Sequence, residues 1–277
     1  MNRLNFATPW DPNHSLDGES QSKSSNPKHQ IGCDPEDDNE PVSYWGSSLQ
    51  AQTFFIPIHY EANYKYPLIV WLHSDGFNEN QVCQVMPHVS SRNYVATGIR
   101  APKAADSGGH RYAWGHTVAA MESAEFSVLE AIRRTCEQYS INQQRVVLAG
   151  YHEGATMAMQ IGMRHPSRFA AVAALGGRFE LPPASVMGVD ELRECRLQML
   201  WQRSILSDSF DDQLLLQEVQ HAADIRARLE VRQYRSDDEM NTAVLGDFDR
   251  WVMERVVNGA SQDRVLWDSS PTAFSDN

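Results

Sequence analysis

The sequence predicts an α/β domain in which a doubly wound, mostly parallel sheet is flanked by helices. Three observations favour this fold class: apolar strand-like runs alternate with amphipathic helical stretches, residues 144–164 have the pattern of a strand, a tight turn and a helix, and 42% of the 277 residues are hydrophobic. Alternation at this interval indicates parallel strands joined by helical crossovers. Because the length and apolar content allow one large core, we expect a single domain over residues 49–257.

The segments before the tight turn should form three strands and two helices. Residues 66–73, YPLIVWLH, are apolar almost throughout, as expected of a buried central strand. Apolar residues recur every three or four positions over residues 119–138, which indicates a helix that covers one face of the sheet. The other predicted segments are an antiparallel strand within residues 49–60, a helix near residues 81–90 and a strand at residues 94–99.

The segments after the turn continue the alternation. Residues 169–175, FAAVAAL, predict another buried strand, which ends in two glycines, and residues 179–194 are expected to run irregularly over the strand ends. The remaining predicted elements are a strand at residues 196–201, a helix at 211–229, a strand at 229–234 and a helix at 243–257. These elements complete the predicted doubly wound sheet.

Both ends of the chain differ in composition from this domain. Residues 1–48 are rich in Ser, Asn, Asp, Glu and Pro and show no helical or strand period, so we expect a disordered acidic arm. Residues 258–277 are expected to form a polar C-terminal tail. The net charge of −12 opposes binding to nucleic acid or to anionic membranes, because both would repel an acidic surface.

The cysteines and the chain start bear on the compartment. Cys33, Cys83, Cys136 and Cys195 lie far apart without a C-x-x-C pair, which suggests free thiols rather than a zinc site or a disulfide framework. The first residues lack the apolar core of a signal peptide, and no run has the roughly 18 apolar residues of a membrane span. We therefore expect a cytoplasmic protein with no cofactor.

The tight turn reads Gly150-Tyr151-His152-Glu153-Gly154, and its surroundings resemble a known family. Similar stretches are PLIVWLHSDG at residues 67–76, IRAPKAADSGGHRYAWGH at 99–116 and the block at 146–177 that contains the turn. Together they resemble the phospholipase/carboxylesterase-like branch of the α/β-hydrolases, which includes acyl-protein thioesterases. The resemblance implies the α/β-hydrolase fold and an ancestry in carboxylic-ester hydrolysis.

The resemblance also locates the catalytic positions, and they are altered. The family's turn is G-x-S-x-G, a strained elbow that presents a nucleophilic serine, but His152 stands at that position. Residues 234–240, YRSDDEM, resemble the family's Y-x-G-G-H-E segment, in which Asp238 falls at the catalytic histidine. Asp208 is the nearest candidate for the triad acid, and Ser207 is the alternative for that position. Two triad positions are thus changed and the third stays open.

The oxyanion side departs from the family as well. The family's L-H-G-x-G loop becomes Leu-His-Ser74-Asp75-Gly here, and Glu153 follows the nucleophile position. Asp75 and Glu153 would place negative side chains where an oxyanion develops, although backbone N–H groups could still point into the hole. By the same resemblance, Trp114 lies in a loop near the substrate.

These residues leave three functional hypotheses. The first is a catalytically degenerate hydrolase that binds a small molecule or a protein partner at the former acyl pocket. The second is an active ester or thioester hydrolase with an unusual nucleophile, either His152 or a serine such as Ser74. In the third, His152, Asp208 and Asp238 hold a divalent metal, although the same residues could simply form an ion pair that fills the former active site.

Overall fold

The structure is a computed structural model that describes residues 51–182, 189–206 and 211–259. The predicted arm at residues 1–48 and nearly all of the predicted tail lie outside these ranges, as does Asp208. The described residues form nine strands: β1 Gln52–Phe55, β2 Tyr66–Leu72, β3 Val95–Ile99, β4 Lys103–Ala104, β5 Tyr112–Ala113, β6 Ile141–Tyr151, β7 Ala171–Leu175, β8 Gln198–Ser204 and β9 Arg228–Tyr234.

Seven of these strands form one sheet with the order β1-β3-β2-β6-β7-β8-β9, and β4 and β5 form a small antiparallel pair. In the large sheet, β1 pairs with β3 in the antiparallel sense and all other neighbours are parallel. Every residue of β2 and β7 is buried, as expected of central strands covered on both faces. The predicted fold class is confirmed.

Helices cover the sheet: α1 Gln81–Val89, α2 Val118–Gln138, α3 Glu153–Arg164, α4 Val189–Cys195, α5 Asp212–Asp224 and α6 Thr242–Val252, which continues as a π-helical turn Met253–Asn258. Side chains cap three of the helix starts. Thr117 accepts from Ala120 N at α2, and Asp211 and Asn241 accept the first free N–H groups of α5 and α6. No helix in the described ranges is long and apolar enough to cross a bilayer.

The structure corrects three predicted boundaries. The segment expected to be irregular contains α4, where Asp190 and Glu191 complement the helix N-terminus and the side chain of Leu192 is buried. Helix α5 ends at Asp224, before Arg226 adopts a positive φ of 57°. The first strand stops at Phe55, two residues before Pro57, which has no N–H to donate.

Parallel pairing determines where a site can form. The carboxyl ends of β2, β6, β7, β8 and β9 reach the same edge of the sheet. The loops that follow these strands therefore lie together, and they include the turn at residue 152, residues 73–76 and residues 235–241. In open α/β sheets, ligands bind at this edge.

Candidate functional site

The turn between β6 and α3 is a strained elbow. His152 has φ 48° and ψ −116°, an uncommon conformation for a residue with a side chain. Its N–H donates to Leu175 O at 3.0 Å, and its carbonyl accepts from Thr156 N at 3.0 Å. A Cβ atom at Gly150 would lie 2.5 Å from Gly154 O, and one at Gly154 would lie 2.3 Å from the carbonyl oxygen of residue 73. Both glycines of the predicted elbow are thus required by close backbone packing.

The carboxylate beside the elbow histidine is Glu239. His152 Nε2 lies 3.8 Å from Glu239 Oε2, and the two side chains are 32% and 3% exposed. Ser204 N donates to the other oxygen, Glu239 Oε1, at 2.6 Å. Oε2 accepts no hydrogen bond from any residue in the described ranges. The His152 ring also packs edge-on against the Tyr151 ring, with centroids 4.2 Å apart. The elbow imidazole therefore faces a buried carboxylate.

Asp238 has a different partner from the one that the sequence suggested. Its Oδ1 accepts from the Tyr151 hydroxyl at 2.8 Å and from Met240 N at 2.8 Å. Burial raises the pKa of Tyr151, and the charges of Asp238, Glu239 and Glu153 raise it further. The sequence analysis predicted Asp238 beside His152 and missed Glu239, although Glu239 is the next residue in the same segment, residues 234–240.

The assignment of the triad acid and the metal hypothesis both depend on residues that follow β8. Ser207 and Asp208 lie in residues 207–210, outside the described ranges. Within those ranges, no group of three His, Cys, Asp or Glu side chains has an arrangement that could hold a metal ion. Since the described contacts pair Asp238 with the Tyr151 hydroxyl, the proposed ligand set of His152, Asp208 and Asp238 gains no support from them.

The oxyanion side of the site already holds a carboxylate. In this fold the hole uses the N–H of the residue after the nucleophile and an N–H from a loop after a sheet strand. Here Asp75, in the loop after β2, donates its N–H to Glu153 Oε2 at 3.4 Å, and its own Oδ1 accepts from Trp114 N at 2.8 Å. Burial raises the pKa of Asp75, the hydrogen bond from Trp114 opposes that rise, and the charge of Glu153 adds to it. A substrate oxyanion would compete with Glu153 at this N–H.

Ser74, its neighbour His73 and Trp114 are packed into the wall of the site. The Ser74 side chain is buried, and its Oγ accepts from Gln81 Nε2 at 3.3 Å. His73 accepts from Ala101 N at Nε2 and contacts Ser74 O through Nδ1 at 2.7 Å, so the neutral Nδ1–H tautomer fits both partners. Burial lowers the pKa of His73, which favours the same neutral form. Trp114 Nε1 donates to His73 O at 2.6 Å, which ties the Trp114 loop to the end of β2.

Comparisons with known proteins agree with the fold described above. The family model for esterase PHB depolymerase matches residues 52–195. Among solved structures, esterase PE8 is 15% identical, with a TM-score of 0.58 over 74% of this chain and 99% of its own. A carboxylesterase from Bacillus cereus is 10% identical, with a TM-score of 0.56 over 76% of this chain and 96% of its own.

A third similar structure is a phospholipase/carboxylesterase from Dyadobacter fermentans. It is 12% identical, with a TM-score of 0.52 over 74% of this chain and 96% of its own. A search of curated proteins by sequence gave no match. At these identities the structures show the fold alone, whereas the family model covers over half of the sequence. The chain belongs to the esterase PHB depolymerase family of α/β-hydrolases.

Proposed function

We propose that this protein is a catalytically degenerate esterase-like hydrolase that binds a small molecule or a protein partner at the former acyl site. The observation that carries this proposal is His152 at the elbow, with Nε2 facing the Glu239 carboxylate at 3.8 Å. Serine hydrolysis needs a hydroxyl at the elbow and an imidazole beside it to take and return the proton. In the described residues the elbow carries the imidazole, and a carboxylate stands beside it.

The oxyanion side supports the same proposal. Loss of one oxyanion-hole donor typically lowers kcat by about 10²–10³-fold. Here Asp75 N–H is engaged by the Glu153 carboxylate, so a developing oxyanion would have to displace a negative group of the protein itself. The Asp75 carboxylate adds a second negative charge nearby. Both features oppose the charge that acyl transfer would develop.

A second candidate function is an active ester or thioester hydrolase that uses His152. It is favoured by the Glu239 carboxylate, because an acid beside an imidazole sets the orientation of the ring and stabilises its protonated form. His152 could then act as a nucleophile through its other nitrogen. The alternative nucleophile Ser74 gains no such support, since its buried hydroxyl contacts Gln81.

Hydrolysis of p-nitrophenyl butyrate by the full chain tests the two functions. We expect a weak rate that is equal in the wild type and in His152→Ala, because a binding site alone can accelerate the reaction after loss of a triad. His88→Ala is the matched control, since His88 is an exposed imidazole on α1 that could hydrolyse an activated ester without any site. A loss of about tenfold or more in His152→Ala alone would overturn the degenerate assignment and favour the second candidate.

A serine-directed fluorophosphonate probe adds an independent test. We expect no labelled serine in the wild type, and labelling at any serine would contradict the proposal. The variant His152→Ser with Asp238→His restores two family residues, but we expect little activity. The reason is that Glu153 still engages the Asp75 N–H and that position 238 faces the Tyr151 hydroxyl. Strong esterase activity in this variant would show that two substitutions are enough to silence the site.

A further inference from the structure

The former ester site is lined by four carboxylates, which we call the elbow carboxylates: Asp75, Glu153, Asp238 and Glu239. They come from the loop after β2, the start of α3 and the loop after β9. We propose that this site recognises an alkylammonium group of a ligand rather than an ester carbonyl or a carboxylate. This inference rests on the proposed binding function and names the chemical class of the ligand.

The elbow carboxylates are close enough to act on shared groups. Glu153 reaches Asp75 through the 3.4 Å contact with its N–H, and Asp238 accepts from Tyr151 at 2.8 Å. The pKa of Tyr151 is raised by burial and then by Asp238, Glu239 and Glu153, as expected if all three carboxylates lie within electrostatic range of this hydroxyl. Like charges this close stabilise a cation that enters among them.

Glu239 supplies a separate indication that a donor is missing. Its side chain is 3% exposed, yet Oε2 accepts no hydrogen bond in the described ranges and faces His152 Nε2 at 3.8 Å. That separation exceeds hydrogen-bond distance, and a buried acceptor that accepts no hydrogen bond is destabilising. A single donor nitrogen about 2.8 Å from each atom could bridge His152 Nε2 and Glu239 Oε2. The half-buried side chain of His152 would move to admit it.

The positive groups in the described part of the chain do not cancel this charge. Lys103 and His116 act on Asp75, and Arg203 acts on Glu239. Arg203 also lies 3.9 Å from the buried Glu218 and is acted on by Asp211, so its charge is shared among several carboxylates. Counted over the described residues, the charge at the elbow stays negative.

The available donors and acceptors discriminate between ligand classes. A carboxylate or an oxyanion would have to displace Glu153 from the Asp75 N–H and would meet the other carboxylates at close range. A neutral carbonyl offers an acceptor where the site already has an excess of acceptors. An ammonium group carries three donors and one positive charge, which match carboxylates and an imidazole nitrogen.

The test compares three probes of equal chain length with the full protein in phosphate buffer, since Tris is itself an amine. Isothermal titration with hexylammonium, hexanol and hexanoate should show hexylammonium binding at least about tenfold more tightly than either other probe. Glu153→Gln and Asp75→Asn should each weaken hexylammonium binding about three- to tenfold. Glu137→Gln is the matched control, because Glu137 is exposed on α2 and pairs with Arg133, and it should change nothing.

Three results would overturn the proposal: no saturable binding of hexylammonium up to its solubility limit, hexanoate binding as tightly as hexylammonium, or Glu153→Gln behaving like the control. If Glu153→Gln does not fold, the salt dependence of wild-type binding replaces it as the test. The affinity for hexylammonium should then fall as sodium chloride is added, and an affinity independent of salt overturns the proposal. Nα-acetyl-lysine amide in the same titration distinguishes a lysine side chain from a free amine as the source of the group.

The ester assay on the same samples keeps the two proposals apart. Hydrolysis that depends on His152 would overturn the degenerate assignment whatever the amine titration gives. If the protein is inactive and binds no hexylammonium, the degenerate assignment stands and the alkylammonium proposal is wrong.

Discussion

Gly154→Ala should destabilise the protein, whereas Gly246→Ala should stabilise it, although both place a methyl group in a helix. At Gly154 the new Cβ would lie 2.3 Å from His73 O and 2.4 Å from Leu72 O, which are backbone atoms after and at the end of β2. At Gly246 in α6 it would meet nothing within 4 Å. Alanine in place of glycine gains about 0.5–1 kcal/mol in a helix. Overpacking costs about 1–3 kcal/mol, and a backbone obstacle belongs at the upper end of that range.

The expected change in unfolding free energy is therefore a loss of about 2 kcal/mol for Gly154→Ala and a gain of about 0.5–1 kcal/mol for Gly246→Ala. Equilibrium urea unfolding measures both, and similar m values would confirm that the comparison concerns the native state. If Gly154→Ala were as stable as the wild type, the elbow would not pack against β2 as described. The contact between Asp75 and Glu153 would then lose its structural basis.

Three further predictions concern charged side chains. A double-mutant cycle of Tyr151→Phe with Asp238→Asn should give a coupling of about 1–2 kcal/mol in urea unfolding, and a value within the additivity error of about 0.5 kcal/mol would refute that hydrogen bond. Burial and a neighbouring charge raise the pKa of Asp75, so ionisation opposes folding at neutral pH and the penalty disappears in acid. Asp75→Asn should accordingly stabilise the protein by about 0.5 kcal/mol at pH 7 with no gain near pH 3, and a loss at pH 7 would contradict this. Burial by itself would raise the pKa of Glu79, but the hydrogen bonds from Arg100 lower it. The ion pair therefore contributes stability that is lost as the pH falls through the pKa of Glu79 in the folded protein. Arg100→Ala should cost about 2–3 kcal/mol at pH 7 and less in acid, and an equal cost at both pH values would count against the ion pair.

The strands and the elbow could be predicted because their signals are local. The run at residues 66–73 is apolar almost throughout, and β2 occupies Tyr66–Leu72. The glycines of the elbow frame sit four residues apart, and the structure shows that a Cβ atom at either would meet backbone. Periodicity and close packing of this kind depend on residues that are neighbours in the sequence.

The carboxylate that faces His152 could not be predicted in the same way. Asp238 and Glu239 are adjacent acidic residues, and composition does not distinguish them. Which carboxylate reaches the elbow depends on the path of the loop after β9, which directs Asp238 to Tyr151 and buries Glu239 beneath His152. Contacts of Glu153 with the loop after β2 likewise depend on how two distant segments dock. Side-chain direction in loops is a tertiary property.

The strained backbone at the elbow does not by itself indicate catalysis. His152 is held at φ 48° by packing around it: a Cβ at Gly177 would lie 2.4 Å from His152 O, and Gly154 abuts the end of β2. These contacts involve backbone atoms, so they impose the turn whatever side chain residue 152 carries. Strain at this position is therefore explained by the fold, and the chemistry must be judged from the side chains alone. For the same reason, His152→Ala should leave the turn in place, so that a change in ester hydrolysis in that variant reports on the imidazole and not on the loss of the elbow.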